Sequence, residues 1–203
     1  VWVLARINRA PSVIDAKTDD KVEKFVLLSN SHDGSLAVRI GLTPVRVVCR
    51  NTLAIAHGHE GSSLLRIRHR ANIADNLAAV REVINLADQR FEATAEQYRK
   101  LAARDIDSAD LRRYVDLVFT SPSIDDSAPP AHDRIFRQVE RLFEEGRGAS
   151  AISPSYWRAY NALNEYLGYV RGRSQDTRLD SLWFGNGAEL NRRALHVALQ
   201  MAA

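Results

Sequence analysis

Residues 63–70 read Ser-Leu-Leu-Arg-Ile-Arg-His-Arg, and residues 73–101 read IADNLAAVREVINLADQRFEATAEQYRKL. Between them the period of the pattern changes. In the first stretch Leu65, Ile67 and His69 alternate with Arg66, Arg68 and Arg70, the two-residue repeat of a strand with one packed and one wet face. In the second, Ile73, Leu77, Val80, Ile84, Ala87, Phe91, Thr94, Tyr98 and Leu101 recur at alternating spacings of four and three, with no Gly or Pro inside. That spacing predicts one long helix with an apolar seam. At 1.5 Å per residue, about 33 residues would span roughly 50 Å, longer than a small domain is wide. The seam therefore needs a partner, either the C-terminal helices of the same chain or a second copy packed along it.

Upstream of residue 70 the chain reads as strands, because short β-branched and apolar runs are punctuated by turn residues. The candidates are Val1 to Ile7, Lys24 to Ser29, Ser35 to Gly41, Val45 to Cys49 and Ser63 to Arg70. Asp33-Gly34 favours a hairpin turn. Pro44, lacking a donor N–H, suits a bend or a strand start. Asn51 or Thr52 caps a short helix through about His57. Downstream, four helices are predicted at Ser108 to Phe119, Asp133 to Glu145, Pro154 to Val170 and Ala188 to Met201. Thr120 to Ala131, with its Ser-Pro and Pro-Pro pairs, is the most linker-like segment. The expected class is α+β: an N-terminal antiparallel or mixed sheet packed with a long helix and a C-terminal helical bundle. Residues 1–120 would form the β-rich core with the long helix, and residues 121–203 a helical subregion packed on the same core.

With 45% hydrophobic and 26% charged residues among 203, the chain has globular proportions and excludes disordered, collagen-like and disulfide-scaffold classes. No run of about 18 apolar residues or signal-peptide pattern occurs, so no membrane partner is expected and the chain reads as cytoplasmic. The single Cys49 agrees with a reducing compartment. The first residue is Val, so a preceding segment is expected. Net charge is +3, but residues 1–70 hold 11 Lys/Arg against 6 Asp/Glu, whereas the remainder is slightly acidic. That asymmetry suggests an anionic partner for the N-terminal region.

Arginines at alternate positions of a strand stand about 6.6–6.8 Å apart, a step that lets guanidinium groups follow a phosphate backbone. Arg66, Arg68 and Arg70 form such a stripe, and Arg39 and Arg46 extend it if their strands are neighbours. A solvated sheet face is the plainer account of the same pattern. His32-Asp33, with His57, His59 and His69, is the alternative chemistry, that of a metal-dependent hydrolase or nuclease. Neither group has the ligand spacing of a structural zinc site, and no metal or other cofactor is expected. Cys49 ahead of Asn51 and Thr52 is a candidate nucleophile with His57 as base, although a Cys that ends an apolar strand is more often buried packing. No GxSxG, Walker loop, HExxH or GxGxxG is present. Along Tyr156 to Val170, Tyr156, Tyr160, Leu163, Leu167 and Val170 make a core stripe, while Trp157, Asn161, Asn164 and Glu165 share another face.

Asn30-Ser-His-Asp-Gly-Ser35, Thr43-Pro-Val-Arg-Val-Val-Cys-Arg-Asn-Thr-Leu53, Ile67-Arg-His69, Asn161-Ala-Leu-Asn-Glu-Tyr166 and Phe184-Gly-Asn-Gly-Ala188 together resemble a phage/plasmid-like family of unknown function found in bacteriophages, plasmids and actinobacteria. The resemblance spans essentially the whole chain. Many members carry Asp-His soon after the Glu-Tyr pair, where this chain has Gly168 and Tyr169. The resemblance implies a mobile-element setting without an established activity. Short strands followed by a long helix are also similar, at the level of fold, to the core of single-strand annealing proteins. The expected function is a non-enzymatic nucleic-acid-associated protein that binds single-stranded DNA through Arg39, Arg46, Arg66, Arg68 and Arg70 and assembles as a homo-oligomer through the long helix. A protein-interaction module acting through the C-terminal helices is the remaining alternative.

Overall fold

The computed structural model describes residues 2–29, 38–48, 63–67, 91–119, 133–172, 174, 178, 181–182 and 185–203. The fold is α+β. Five antiparallel strands, β1 (Trp2–Arg6), β2 (Ser12–Asp15), β3 (Asp20–Ser29), β4 (Val38–Arg46) and β5 (Ser63–Ile67), form one sheet in the order β1-β3-β4-β5. β2 shares the β1 edge of β3: Ser12 faces Val22, while Trp2 to Arg6 face Ser29 to Phe25. The turn from β2 into β3 is tight, with Asp19 at φ 54°, a region Asp tolerates better than most residues. The Asp15 carboxylate accepts the Lys17 N–H at 2.9 Å inside that turn.

Two sequence expectations are corrected here. The predicted strands Ser35 to Gly41 and Val45 to Cys49 share a single strand, β4, in which Pro44 stands opposite Lys24 instead of opening a new segment. The missing N–H is tolerated because, among the described residues, β5 pairs with Val38 to Gly41 and no strand pairs with Pro44 on that side. β2, only four residues long, was too short for its alternation to stand out from the loop around it.

The helices follow as α1 (residues 91–102), α2 (Ser108–Phe119), α3 (Asp133–Glu145), α4 (Tyr156–Glu165) and α5 (Asn186–Met201). The predicted bounds of α2 and α3 are met. The helix predicted over 154–170 is α-helical only to Glu165 and continues as a π-helical turn, Tyr166–Val170, closed by the Arg171 N–H on the Tyr166 carbonyl at 2.8 Å. Ser155 caps α4, its hydroxyl accepting the Arg158 N–H. At the start of α5 the Ser181 hydroxyl accepts the Gly187 N–H at 3.0 Å, and a Cβ on Gly187 would lie 2.9 Å from the Ser181 carbonyl oxygen. Only glycine allows that approach.

Phe91, Thr94, Tyr98 and Leu101, the described end of the long apolar seam, are all buried within this single chain. Residues 73–90, which carry the rest of the seam, and the predicted short helix after residue 51 lie outside the described residues, as does the 120–131 linker. Ile14 and Val22 from the sheet join Phe91, Tyr98, Tyr114, Trp157, Tyr160, Leu163 and Leu195 in one cluster, so sheet and helices share a core on both sides of that linker. α4 is its axis. The face expected to separate Trp157, Asn161, Asn164 and Glu165 from the core stripe is itself buried, because α3 and α5 pack on α4 while Trp157 meets Tyr98 of α1 and Asp20 of β3.

Burial pushes the Tyr98 and Tyr114 phenols well above their usual range, and the nearby Tyr160 adds to both. The unfolded chain releases these protons near about pH 10 while the folded chain keeps them, so stability present below that pH is lost as pH rises above it. The melting temperature is expected to fall between about pH 9 and 11, and less steeply in Tyr114→Phe. Equal slopes for wild type and variant in a pH series of melting curves would contradict this assignment.

Candidate nucleic-acid interface

Residues directly opposite one another in an antiparallel pair share a face, and successive residues along a strand alternate. Arg39 of β4 stands opposite Ser29 of β3 on one side and Arg66 of β5 on the other. Arg39 and Arg66 thus occupy one cross-strand rung. Arg46 stands opposite Val22, whose side chain is fully buried in the shared core. Seven positions along an uninterrupted β3·β4 register separate Arg39 from Arg46, which places them on opposite faces. The stripe expected to contain both is therefore divided: Arg39 and Arg66 occupy register positions of one face of the sheet, and Arg46 a position of the other, beneath the described helices. On the Arg39 face, Thr43 and Val45, further along β4, are buried.

Arg46 is 1% exposed, and no phosphate reaches it. Its Nε lies 2.9 Å from both carboxylate oxygens of Asp20, at the start of β3. Its Nη2 donates to the Gly148 carbonyl at 3.0 Å and its Nη1 to that of Arg147 at 3.4 Å. Asp20, 2% exposed, also accepts the Trp157 indole N–H on Oδ2 at 2.7 Å. A buried carboxylate and guanidinium are tolerated when their remaining polar sites are occupied, as they are here. The trio ties β3, β4, α4 and the turn after α3 into one unit. Gly148 enables the contact: its φ is +69°, and an added Cβ would lie 2.5 Å from Val48 Cγ1. Beside it, the Glu165 carboxylate accepts the Arg147 N–H at 2.9 Å and fixes the same turn.

Asp20 and Gly148 were missed as partners of Arg46, and Trp157 as a donor to Asp20. The only local signal was the Asp19-Asp20 pair at a turn, which does not announce a buried ion pair.

Arg68 and Arg70 lie outside the described residues, as do His32, Asp33, Cys49, His57, His59 and His69. Among the described residues no group of three or more His, Cys, Asp or Glu side chains is placed to hold a metal ion. No helix among them is long and apolar enough to cross a membrane.

No curated protein and no solved structure matches the chain. The family model for a domain of unknown function, DUF932, matches residues 1–183. With its antiparallel sheet, its helical layer and this match over most of its length, the chain belongs to the DUF932 family.

Proposed function

We propose that this protein is a non-enzymatic nucleic-acid-associated protein of mobile elements that holds the phosphate backbone of single-stranded DNA at the Arg39–Arg66 end of its sheet. The observation that supports it is the register, which sets two arginines directly opposite each other on adjacent strands. Like charges in that position destabilise a sheet by up to about 1 kcal/mol, and a phosphate between them converts the repulsion into two charge-assisted contacts. Arg68 and Arg70 stay in the proposal on the alternation of the sequence. Backbone contacts of this kind position a strand without reading its bases, in keeping with a region whose only aromatic residues before position 70 are Trp2 and Phe25. The seam residues from Ile73 to Ala87 are proposed to pair with a second copy, giving an array along one strand.

The test is fluorescence anisotropy of a labelled single-stranded oligonucleotide with wild type and the Arg39→Glu/Arg66→Glu variant. At low salt the variant is expected to bind at least about tenfold more weakly, since each charge-assisted contact is worth about 1.5–3 kcal/mol. Its log K against log salt should be shallower by about 1.4, at roughly 0.7 per lost phosphate contact. An unchanged affinity in a variant with a wild-type circular dichroism spectrum would remove the proposed face.

A further inference from the structure

α3 docks through Val139 and Phe143, with Ile135 and Leu142 half-buried beside them. Its opposite side carries Arg134, Arg137 and Arg141, all exposed, at spacings of three and four that keep them in one stripe about 10 Å long. With Gln138 and Asp133 they line a groove of about 410 Å³.

Most arginines of the helical layer that meet a carboxylate are committed to it. Arg112 holds Asp116 and Asp133, Arg147 lies near Glu165, Arg158 meets Glu144, and Arg192 meets Glu189. Arg134, Arg137 and Arg141 differ. Among the described residues none of the three has a carboxylate within 4.0 Å, although Glu140 and Glu145 lie one turn along the helix from Arg137 and Arg141. Asp133, the one acid lining the groove, is drawn to Arg112 at 2.9 Å.

A second observation comes from the neighbouring π-helical turn. The Nη1 of Arg171 and the Nε of Arg178 are buried, and among the described residues neither has a hydrogen-bond acceptor. Arg178 lies over Gly172, which has a φ of +97° and where an added Cβ would lie 3.0 Å from Arg178 Cγ. Burial raises the Tyr166 phenol, while Arg171 and Arg134 pull it back down, so both guanidinium groups bear on that hydroxyl. Arg171 thus adds positive charge on the Tyr166 side of α3 that no carboxylate among the described residues meets.

We propose that the outer face of α3, carrying Arg134, Arg137 and Arg141, is a second phosphodiester-binding surface that takes the backbone of a nucleic-acid strand. Three guanidinium groups along one groove, each able to meet phosphate oxygens in pairs, match the regularly repeated charge of a phosphodiester backbone. The surface lies on a different layer from the Arg39–Arg66 rung and does not rest on it.

The experiment compares the full-length wild type, Arg134→Gln/Arg137→Gln/Arg141→Gln and the corresponding triple Lys variant in salt titrations with a labelled single-stranded oligonucleotide. Gln and Lys both support helix, so the fold should hold. The Gln variant is expected to lose at least tenfold in affinity, with a slope shallower by about 2, and the Lys variant to keep the wild-type slope. A wild-type slope in the Gln variant overturns the proposal, as does polyglutamate or inorganic phosphate competing as well as unlabelled oligonucleotide. Loss in the Gln variant with none in Arg39→Glu/Arg66→Glu supports the helix face and removes the sheet rung. The reverse pattern removes the helix face and keeps the rung.

Discussion

Arg46→Ala is expected to destabilise the protein by about 3–5 kcal/mol, the usual cost of removing one member of a buried ion pair. The side chain is closed off from solvent, and its loss leaves the Asp20 carboxylate buried beside the Trp157 indole N–H, without the guanidinium charge that balanced it. The carbonyls of Arg147 and Gly148 lose their donors in the same step. For a chain of this length the loss corresponds to a fall in melting temperature of roughly 6–20 °C. Removing the charge on both sides should be milder. Asp20→Asn/Arg46→Met leaves no uncompensated charge, and its cost is expected to fall below that of Arg46→Ala alone. Urea denaturation followed by tryptophan fluorescence measures both variants. A stability for Arg46→Ala within about 0.5 kcal/mol of wild type, the range of an ordinary surface substitution, would mean that Arg46 is not held as described.

Trp157→Ala should be equally damaging, at about 3–5 kcal/mol, because it empties the centre of the core. The indole is fully buried, with ring centroids 4.9 Å from Tyr98 and 6.0 Å from Tyr160, so it joins α1 to α4 as well as the helices to the sheet. Trp157→Phe separates two contributions. It keeps most of the aromatic packing but withdraws the donor from Asp20 Oδ2, a loss of about 1–3 kcal/mol for a buried acceptor. Chemical denaturation of the two variants should therefore give Ala well below Phe and Phe below wild type. Equal stability of Phe and wild type would show that the indole N–H contributes nothing to holding Asp20.

The helices were legible because their apolar spacing is regular and their ends are marked: Ser108 precedes Leu111, Tyr114, Val115 and Val118, and all four of these are buried. The π-helical turn was not, since Tyr166 to Val170 continue the same apolar stripe and only the Arg171 hydrogen bond reveals the change. Among the basic residues the outcome turned on strand continuity. Pro44 suggested a break between Arg39 and Arg46, and across a break their relative facing is undetermined; in one continuous strand an odd separation puts them on opposite faces. Burial of Arg46 depends on partners 26 and 137 residues apart from Asp20 along the chain, contacts that no local pattern encodes. The α3 stripe was visible as three arginines, but only its exposure, with no ion pair to these three among the described residues, separates it from an ordinary solvated helix face.

The most direct measurement is the affinity of the wild-type protein for labelled single-stranded DNA across a series of salt concentrations. Binding carried by Arg39 and Arg66 predicts a log K that falls with log salt at least as steeply as about −1.4, and more steeply if the α3 face joins it. No binding at low salt, or an affinity that salt leaves unchanged, would contradict a phosphate-binding role.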